Sequence, residues 1–127
     1  HVRQAMITRF QTLPASLKVV DIASHLATSS QKLFPFVDDG LHLHGFASRE
    51  ELEKAAYELP PQASASCIAR RVPAVHPDTP FEDALAVMQS SSQPLLPVVN
   101  VSGQIVGLVG VGNLAGLSAS QQPAGNP

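Results

Sequence analysis

Apolar and polar positions follow the same order twice along this chain. Residues 29–37 read SSQKLFPFV and return as SSQPLLPVV at residues 91–99, an offset of 62 positions. The same offset pairs Gly45 with Gly107 and Leu52 with Leu114 without a gap. Each copy is near the lower size limit for independent stability, so we expect two halves that stabilise one another.

A helix is predicted near the start of each copy. In each copy four apolar residues keep the i, i+3, i+4, i+7 spacing of one helical face: Val19, Ile22, Ala23 and Leu26, then Phe81, Ala84, Leu85 and Met88. In the second copy Thr79 is predicted as the N-cap, Pro80 as the first helical residue and Glu82 as the capping-box acid.

Short apolar runs predict a strand hairpin after each helix. Residues 33–37 and 95–99 have the length and composition of buried strands. Pro35 and Pro97 each leave one position of the strand without a backbone N–H donor. Turn residues then lead to residues 41–47 and 104–109, which we predict as antiparallel partners.

A second helix is predicted after each hairpin, and in the first copy it spans residues 48–59. Ser48 and Glu51 have the spacing of a capping box. The second copy begins this helix with a glycine-rich turn and has only Leu114 and Leu117 to bury. The expected organisation is a first repeat at 2–59, a linker at 60–66, a second repeat at 67–117 and an unordered tail at 118–127.

Composition excludes several functional classes. The chain has 127 residues, 44% hydrophobic and 14% charged, as expected of a folded domain. A net charge of -2 without a basic cluster argues against nucleic acid as the main partner. The single Cys67 cannot form an intrachain disulfide, which favours an intracellular setting. No apolar run reaches the roughly 20 residues of a spanning helix, and the abrupt start at His1 suggests a piece of a longer protein.

The order helix, hairpin, helix, repeated with Leu-x-Pro-x-Val and a glycine before the second helix, resembles a tandem pair of CBS domains, named after cystathionine beta-synthase. The resemblance covers residues 2–117. It implies an α+β sandwich, with two three-stranded sheets related by a pseudo-twofold axis and clefts between them. In the family such clefts hold adenosine-bearing ligands: AMP, ADP, ATP or S-adenosylmethionine.

One subgroup of the family is more similar than the rest. Residues 29–38 and Asn113 in Gly-Asn-Leu-Ala-Gly-Leu resemble the CBS pairs attached to membrane zinc metalloproteases of the site-2 type. This sequence contains no His-Glu-x-x-His motif. The resemblance therefore implies that any protease part lies outside this chain.

In the family the ligand signature is Gly-x-x-[Ser/Thr]-x-x-Asp, in which the hydroxyl meets phosphate and the acid binds ribose. The resemblance assigns these roles to Ser48 and Glu51 in the first copy, with glutamate in place of aspartate. The alternative is that both residues only cap the helix. In the second copy Gly110 lacks the hydroxyl, and Asn113 either bonds ribose without charge or caps the last helix. We therefore expect weak or single-site binding.

Apolar residues near the strand edges are the candidates for adenine contact. They are Thr12, Leu13, Leu33, Phe34, Ala74, Val75, Leu95 and Leu96. Four arginines are candidates for phosphate contact, or alternatively are only solvated: Arg9, Arg49, Arg70 and Arg71.

Other chemistries are not supported by the sequence. The glycines from Gly110 onward depart from a dinucleotide fingerprint, and His42 with His44 lacks a third metal ligand in register, so a solvated strand face is expected. No catalytic set is recognisable, and an enzyme is not predicted. The leading hypothesis is a cytoplasmic regulatory module that binds an adenosine ligand between its repeats and forms a homodimer. The alternative is a ligand-free assembly module.

Overall fold

The computed structural model describes residues 1–112, which form two compact units. One unit is Phe10–Arg71, and the other joins His1–Arg9 to the residues from Val72 onward. These bounds differ from those of the sequence repeats. The expected linker at 60–66 packs into the first unit, where Val19 N–H donates to Ala63 O (2.9 Å) and Ala65 N–H donates to Leu17 O (2.8 Å).

The first unit contains a three-stranded sheet and two helices. The strands are β1 (Leu13–Pro14), β2 (Leu33–Val37) and β3 (Leu43–Ser48), and the helices are α1 (Ile22–Leu26) and α2 (Arg49–Glu58). A 3-10 turn at Val19–Asp21 extends α1, as the apolar stripe predicted, and another lies at Ala65–Ile68. The sheet order is β1-β2-β3, with β1 parallel and β3 antiparallel to β2.

One face of this sheet forms the core of the first unit. Side chains alternate between the two faces of a strand, and the core face carries Leu13, Phe34, Phe36 and Ala47, all completely buried. The helices cover that face with Ile22, Leu26, Leu52 and Ala55. The other face carries Leu33, Pro35, Phe46 and Ser48, the cross-strand pairs that alternate with the core pairs.

The second unit repeats the helix and hairpin. Its elements are a 3-10 turn at Val2–Gln4, α3 (Phe81–Ser91), β4 (Leu95–Val99) and β5 (Ile105–Gly110), with β4 and β5 antiparallel. We expected a third strand here, but Val75 makes only a single parallel bridge to Val98. That bridge also explains how Pro97 is tolerated: Val75 uses Pro97 O and Val99 N–H, so the proline nitrogen is not needed as a donor.

The predicted capping box before α3 is wrong. The helix starts at Phe81 after Pro80, and no side chain caps it. The Thr79 hydroxyl instead accepts the N–H of His76 at 3.0 Å and so closes the turn that precedes the helix. The helix itself is confirmed, with Ala84 and Met88 buried.

The second helix of the first copy has the predicted start, and that of the second copy lies mostly outside the described residues. Val111 and Gly112 begin it as helix, while Asn113, Leu114, Leu117 and the expected tail fall beyond residue 112. None of the helices within residues 1–112 is both long and apolar enough to cross a bilayer.

A short segment pairs with the second hairpin strand of each unit. In the first unit Phe46 and Arg70 exchange both backbone hydrogen bonds (2.7 and 2.8 Å), and in the second Ile7 and Leu108 do the same (2.7 and 2.9 Å). Each segment crosses directly over a glycine. A Cβ on Gly45 would lie 2.9 Å from Arg70 O, and one on Gly107 would lie 2.9 Å from the Met6 sulfur. These contacts explain the paired glycines of the repeat.

Asp38 organises the turn between β2 and β3. Its carboxylate accepts the N–H of Gly40 and of His42, both at 2.9 Å, and contacts His42 Nδ1 at 3.2 Å. His44 Nε2 lies 3.7 Å from the other carboxylate oxygen. The backbone N–H of His42, with smaller contributions from Gly40 and the His42 ring, holds the Asp38 pKa below its usual value.

We predict that Gly45→Ala destabilises the fold by about 1–3 kcal/mol, because the new methyl group meets a backbone oxygen that cannot move away. Gly107→Ala should cost less, since its closest contact is a flexible methionine side chain. Gly112→Ala is the matched control, because no atom lies within 4 Å of its added Cβ. Urea denaturation of the three variants measures the difference, and equal costs at Gly45 and Gly112 would contradict the crossing contact.

The lowered pKa of Asp38 predicts an acid-sensitive turn. A carboxyl group whose folded pKa is depressed contributes stability above its unfolded pKa, and that contribution is lost as pH falls through the folded pKa. Below about pH 4 the melting temperature of the unmodified chain should therefore approach that of Asp38→Asn, which does not titrate. Asp39→Asn, at the exposed neighbouring carboxylate, is the control. A constant difference between the unmodified chain and Asp38→Asn from pH 6 to pH 2 would refute this role.

Candidate functional site

The start of α2 is a complete capping box. The Ser48 hydroxyl accepts the Glu51 N–H at 3.0 Å, and the Glu51 carboxylate accepts the Ser48 N–H at 2.8 Å. The N–H of Arg49 donates to Lys32 O at 2.8 Å. Ser48 and Glu51 therefore cap α2. The capping hydrogen bonds use the same polar groups that the resemblance assigns to a ligand.

Arg70 holds the same glutamate from the other side. Its Nε donates to Glu51 Oε2 at 3.0 Å, and its second terminal nitrogen donates to Oε1 at 3.2 Å. This two-point contact with a guanidinium is a strong charge-assisted pairing. The hydrogen bonds from Arg70, followed by the backbone N–H of Ser48, hold the pKa of Glu51 below its usual value. Glu51 is therefore a fixed anion at the start of α2.

The Arg49 side chain is hydrogen-bonded to backbone carbonyl oxygens. Its guanidinium donates to the carbonyl oxygens of Gln31 (3.0 Å), Leu26 (3.3 Å) and Ser29, and it lies 5.7 Å from the centre of the Phe34 ring. These carbonyls lie at the end of α1 and in the loop that leads to β2. Arg49 thus ties the two helices of the unit together, which leaves fewer of its donors for a phosphate. Arg9 and Arg71 are exposed.

The candidate adenine contacts of the first unit separate into two groups. Leu13 and Phe34 are completely buried in the core, so their side chains are not available to a ligand. Thr12 and Leu33 are half-buried, and Leu33 pairs with Ser48 on the sheet face opposite the core. An accessible apolar side chain and the Ser48 hydroxyl therefore lie side by side.

Gln31 connects the two half-buried candidates, and sequence reasoning gave it no role. Its side-chain amide donates to Gln11 O (2.9 Å) and Leu33 O (2.7 Å), while its oxygen accepts the Gln11 N–H (2.8 Å). Thr12 directly follows Gln11 and precedes Leu13, which pairs with Phe36, so these bonds hold Thr12 alongside β2. The signal for Gln31 was its place in the repeated Ser-Ser-Gln phrase.

The candidate adenine contacts of the second unit also divide into buried and accessible side chains. Val75 and Leu96 are buried in its core, whereas Ala74 is exposed and Leu95 is half-buried. Leu95 pairs with Gly110, as Leu33 pairs with Ser48. The helix start is also equivalent, because Val111 N–H donates to Pro94 O at 3.2 Å. Asn113 lies outside the described residues.

The remaining candidates have local partners. His42 and His44 are both exposed, as predicted, and Asp38 contacts each of them. Within residues 1–112 no group of three or more His, Cys, Asp and Glu side chains is arranged to hold a metal ion.

A cavity of about 530 Å³ in the second unit is lined by Met6, His76, Pro77 and Val106, among others, and by none of the candidate ligand residues.

Comparison with known proteins identifies the fold. Residues 65–119 match the family described as CBS domain. No curated protein matches the chain in sequence. The structure of CBSX2 in complex with AMP is similar, with 22% identity and a TM-score of 0.77 over 94% of this chain and 96% of that chain.

Two further solved structures share this architecture. The cytosolic domain of the Mg²⁺ channel MgtE in complex with ATP has 23% identity and a TM-score of 0.78, over 89% of this chain and 46% of that chain. The CBS domains of a transcriptional regulator from Streptococcus pneumoniae have 15% identity and a TM-score of 0.75, over 91% and 96%. Residues 65–119 thus match the CBS domain family, and the chain has the α+β fold of CBS-pair structures.

Proposed function

We propose that this chain is a regulatory module that binds an adenosine-containing ligand, from the set AMP, ADP, ATP and S-adenosylmethionine, and thereby modulates a host protein. The observation that carries the proposal is the pairing of Leu33 with Ser48, both half-buried, on the sheet face opposite the core. The AMP and ATP in the structures of CBSX2 and MgtE support this ligand class.

Each group at this face suits one part of an adenine nucleotide. Leu33 and Thr12 offer partly accessible apolar surface for the base, the Ser48 hydroxyl can donate to a phosphate oxygen, and the Glu51 carboxylate can accept from a ribose hydroxyl. A few such contacts are consistent with a dissociation constant of roughly tens of micromolar, or about -6 kcal/mol. In the second unit Leu95 and Ala74 are the corresponding apolar groups, and Gly110 and Asn113 are the candidates for the polar part.

Regulation would act through a shift between two conformations of the module. A ligand that binds one conformation tenfold more tightly moves that equilibrium by about 1.4 kcal/mol. The host we favour is a membrane zinc metalloprotease of the site-2 type, because residues 29–38 resemble the CBS pairs of such enzymes. In that setting the module lies in the cytoplasm and carries no catalytic group of its own.

A second candidate function is assembly. The exposed face of α1 and α2 carries a groove of about 340 Å³ lined by Ile22, Ala23, Leu26, Ala27, Arg49, Glu53 and Ala56. Ala23, which belongs to the apolar stripe predicted for the first helix, is exposed, and so is Ala56 in α2. Tyr57 beside them is 93% exposed. An exposed aromatic side chain beside an apolar groove favours a helical surface that pairs with a second copy.

Titration calorimetry with AMP, ATP and S-adenosylmethionine tests ligand binding directly. We expect Leu33→Ala to weaken binding by about 1 kcal/mol, or roughly fivefold, because it removes apolar contact with the base. Leu43→Ala is the control, since Leu43 is also half-buried but lies at the other end of β3. Absence of heat with all three ligands at millimolar concentration, with the fold intact by circular dichroism, would leave assembly as the better hypothesis.

Light scattering at high protein concentration tests assembly. We expect a dimer in solution, and Ala56→Arg should convert it to a monomer, because a charged side chain enters the groove that the partner would fill. Ser102→Arg places the same charge on the exposed turn after β4 and should leave the dimer intact. A monomeric mass for the unmodified chain would count against this surface.

A further inference from the structure

We propose that Gln31 is a positioning residue for the ligand of the first unit, because its side-chain amide holds the segment before β1 against β2 where Pro35 leaves the strand pairing without a donor. This inference rests on the proposed function and deepens it. It makes the first unit the one whose surface for the base is formed before an adenosine ligand binds. Gln31 acts through Thr12 and Leu33, without touching the ligand itself.

Strand β1 pairs with β2 through alternate residues. In a parallel pair, a residue donates to the carbonyl oxygen before its partner and accepts from the amide after it. The second unit shows this pattern at Val75, which donates to Pro97 O (3.0 Å) and accepts from Val99 N–H (2.8 Å). The corresponding pair in the first unit is Leu13 with Phe36.

The next pair toward the amino end of β1 lacks a donor. In the same register Gln11 lies opposite Phe34, and its carbonyl oxygen would accept the N–H of Pro35. Proline has no N–H, so the regular pairing stops and β1 is limited to Leu13–Pro14. Gln11 is half-buried, and backbone groups removed from water need another partner.

The Gln31 side chain is that partner. Its nitrogen donates to Gln11 O at 2.9 Å and to Leu33 O at 2.7 Å, and its oxygen accepts the Gln11 N–H at 2.8 Å. These are the groups that regular pairing would join to one another and to the N–H of residue 35. A carboxamide has the donor and the acceptor of a peptide group. Gln31 therefore extends the pairing past Pro35.

The segment that Gln31 holds carries part of the candidate site. Thr12 lies between Gln11 and the core residue Leu13. Because neighbouring residues of a strand point to opposite faces, Thr12 shares the sheet face opposite the core with Leu33. Fixing this segment in advance reduces the conformational entropy that is lost on binding, and so raises the affinity for a ligand.

The backbone of Gln31 is also held in place. Its N–H donates to the Ser29 hydroxyl at 3.0 Å, and its carbonyl oxygen accepts Arg49 Nε–H at 3.0 Å. The Gln11 side chain in turn donates to His25 O at 3.2 Å. The hydrogen bonds of this network join the end of α1, the start of α2 and the segment before β1 around one amide.

The second copy cannot form the same arrangement. The offset of 62 positions places Gln93 at the position of Gln31 and Pro73 at the position of Gln11. Pro73 has no N–H to donate to the Gln93 side chain. The repeated glutamine can therefore be held on both sides only in the first unit, and Gln93 offers a matched control.

The test is an NMR titration of the full ¹⁵N-labelled chain with AMP, in which the backbone amides of Thr12 and Ser48 report on the first unit. Gln31→Met keeps an unbranched side chain of similar length but removes the amide. We expect it to weaken AMP at the first unit about tenfold, because the segment must then be ordered on binding. The titration is made where urea denaturation shows the variant to be fully folded, so that a loss of stability alone leaves the affinity unchanged. Gln93→Met should leave the first-unit affinity as it is.

Pro35→Ala tests the mechanism, because it adds the N–H that the strand pairing lacks. In this background Gln11 O has a backbone donor and the Gln11 N–H can donate to Leu33 O. Gln31→Met should then weaken AMP by no more than about threefold, since the two changes are coupled through the same hydrogen bonds. A role of Gln31 unrelated to this pairing predicts an equal loss in both backgrounds.

Hydrogen exchange at the Gln11 amide gives a readout that does not depend on the ligand. Exchange should become at least about tenfold faster in Gln31→Met, because the N–H loses its acceptor. An unchanged AMP affinity in Gln31→Met, or an equal loss in both backgrounds at residue 35, would overturn the inference and leave the proposed function standing. Faster exchange in Gln31→Met, together with no shift of first-unit signals by AMP in the unmodified chain, would overturn the proposed function but retain the contact of Gln31 with this segment.

If Gln31→Met does not fold, Gln31→Asn takes its place. This variant keeps the amide but is one methylene shorter, so it cannot reach all the groups that Gln31 contacts. We expect it to weaken AMP at the first unit at least about threefold. An unchanged affinity in Gln31→Asn would also overturn the inference.

Discussion

The backbone pairing of Phe46 with Arg70 is the contact on which the first unit depends. A three-stranded sheet of this size has an exposed edge, and a short crossing segment covers it with two hydrogen bonds. The crossing is possible only because Gly45 has no side chain at the point of contact. In the second unit Ile7 pairs with Leu108 in the same way, and Gly107 lies under the crossing segment. The repeated glycine is therefore a requirement of the fold before it is part of any ligand signature.

This pairing also sets the chemistry of the candidate site. Because the backbone of Arg70 is fixed next to β3, its guanidinium reaches the first turn of α2 and meets Glu51. A capping box alone needs only an acceptor at Glu51. With Arg70 present, the same carboxylate is also held in an ion pair, so one residue both caps α2 and joins it to the segment that crosses Gly45.

Much of the fold is predicted by local sequence pattern. The apolar runs 33–37 and 95–99 are strands with those bounds, and the capping box of α2 has the predicted partners. Local reasoning failed at Thr79, whose hydroxyl is used by the turn at His76 instead of the helix. The candidate site was predicted less well, because its contacts are distant in sequence: Arg70 is 19 residues from Glu51, and Gln31 is 20 from Gln11.

Strand alternation would have improved the list of adenine contacts. Neighbouring residues in a strand point to opposite faces, so Leu33 and Phe34 cannot both face a ligand while Phe34 is in the core. The sequence contains this information, but using it requires knowing which face the helices cover, and that depends on packing of the whole unit. Leu95 and Leu96 divide in the same way.

The two copies differ in side chains while keeping the same backbone. Arg49 N–H to Lys32 O and Val111 N–H to Pro94 O are equivalent bonds directly after β3 and β5. Between them Ser48 is replaced by Gly110, and Glu51 by Asn113. The fold requires the backbone contacts in both copies, whereas a hydroxyl and a carboxylate at the helix start are present only in the first. The copies have therefore diverged in the polar side chains at this position and not in the backbone contacts that precede it.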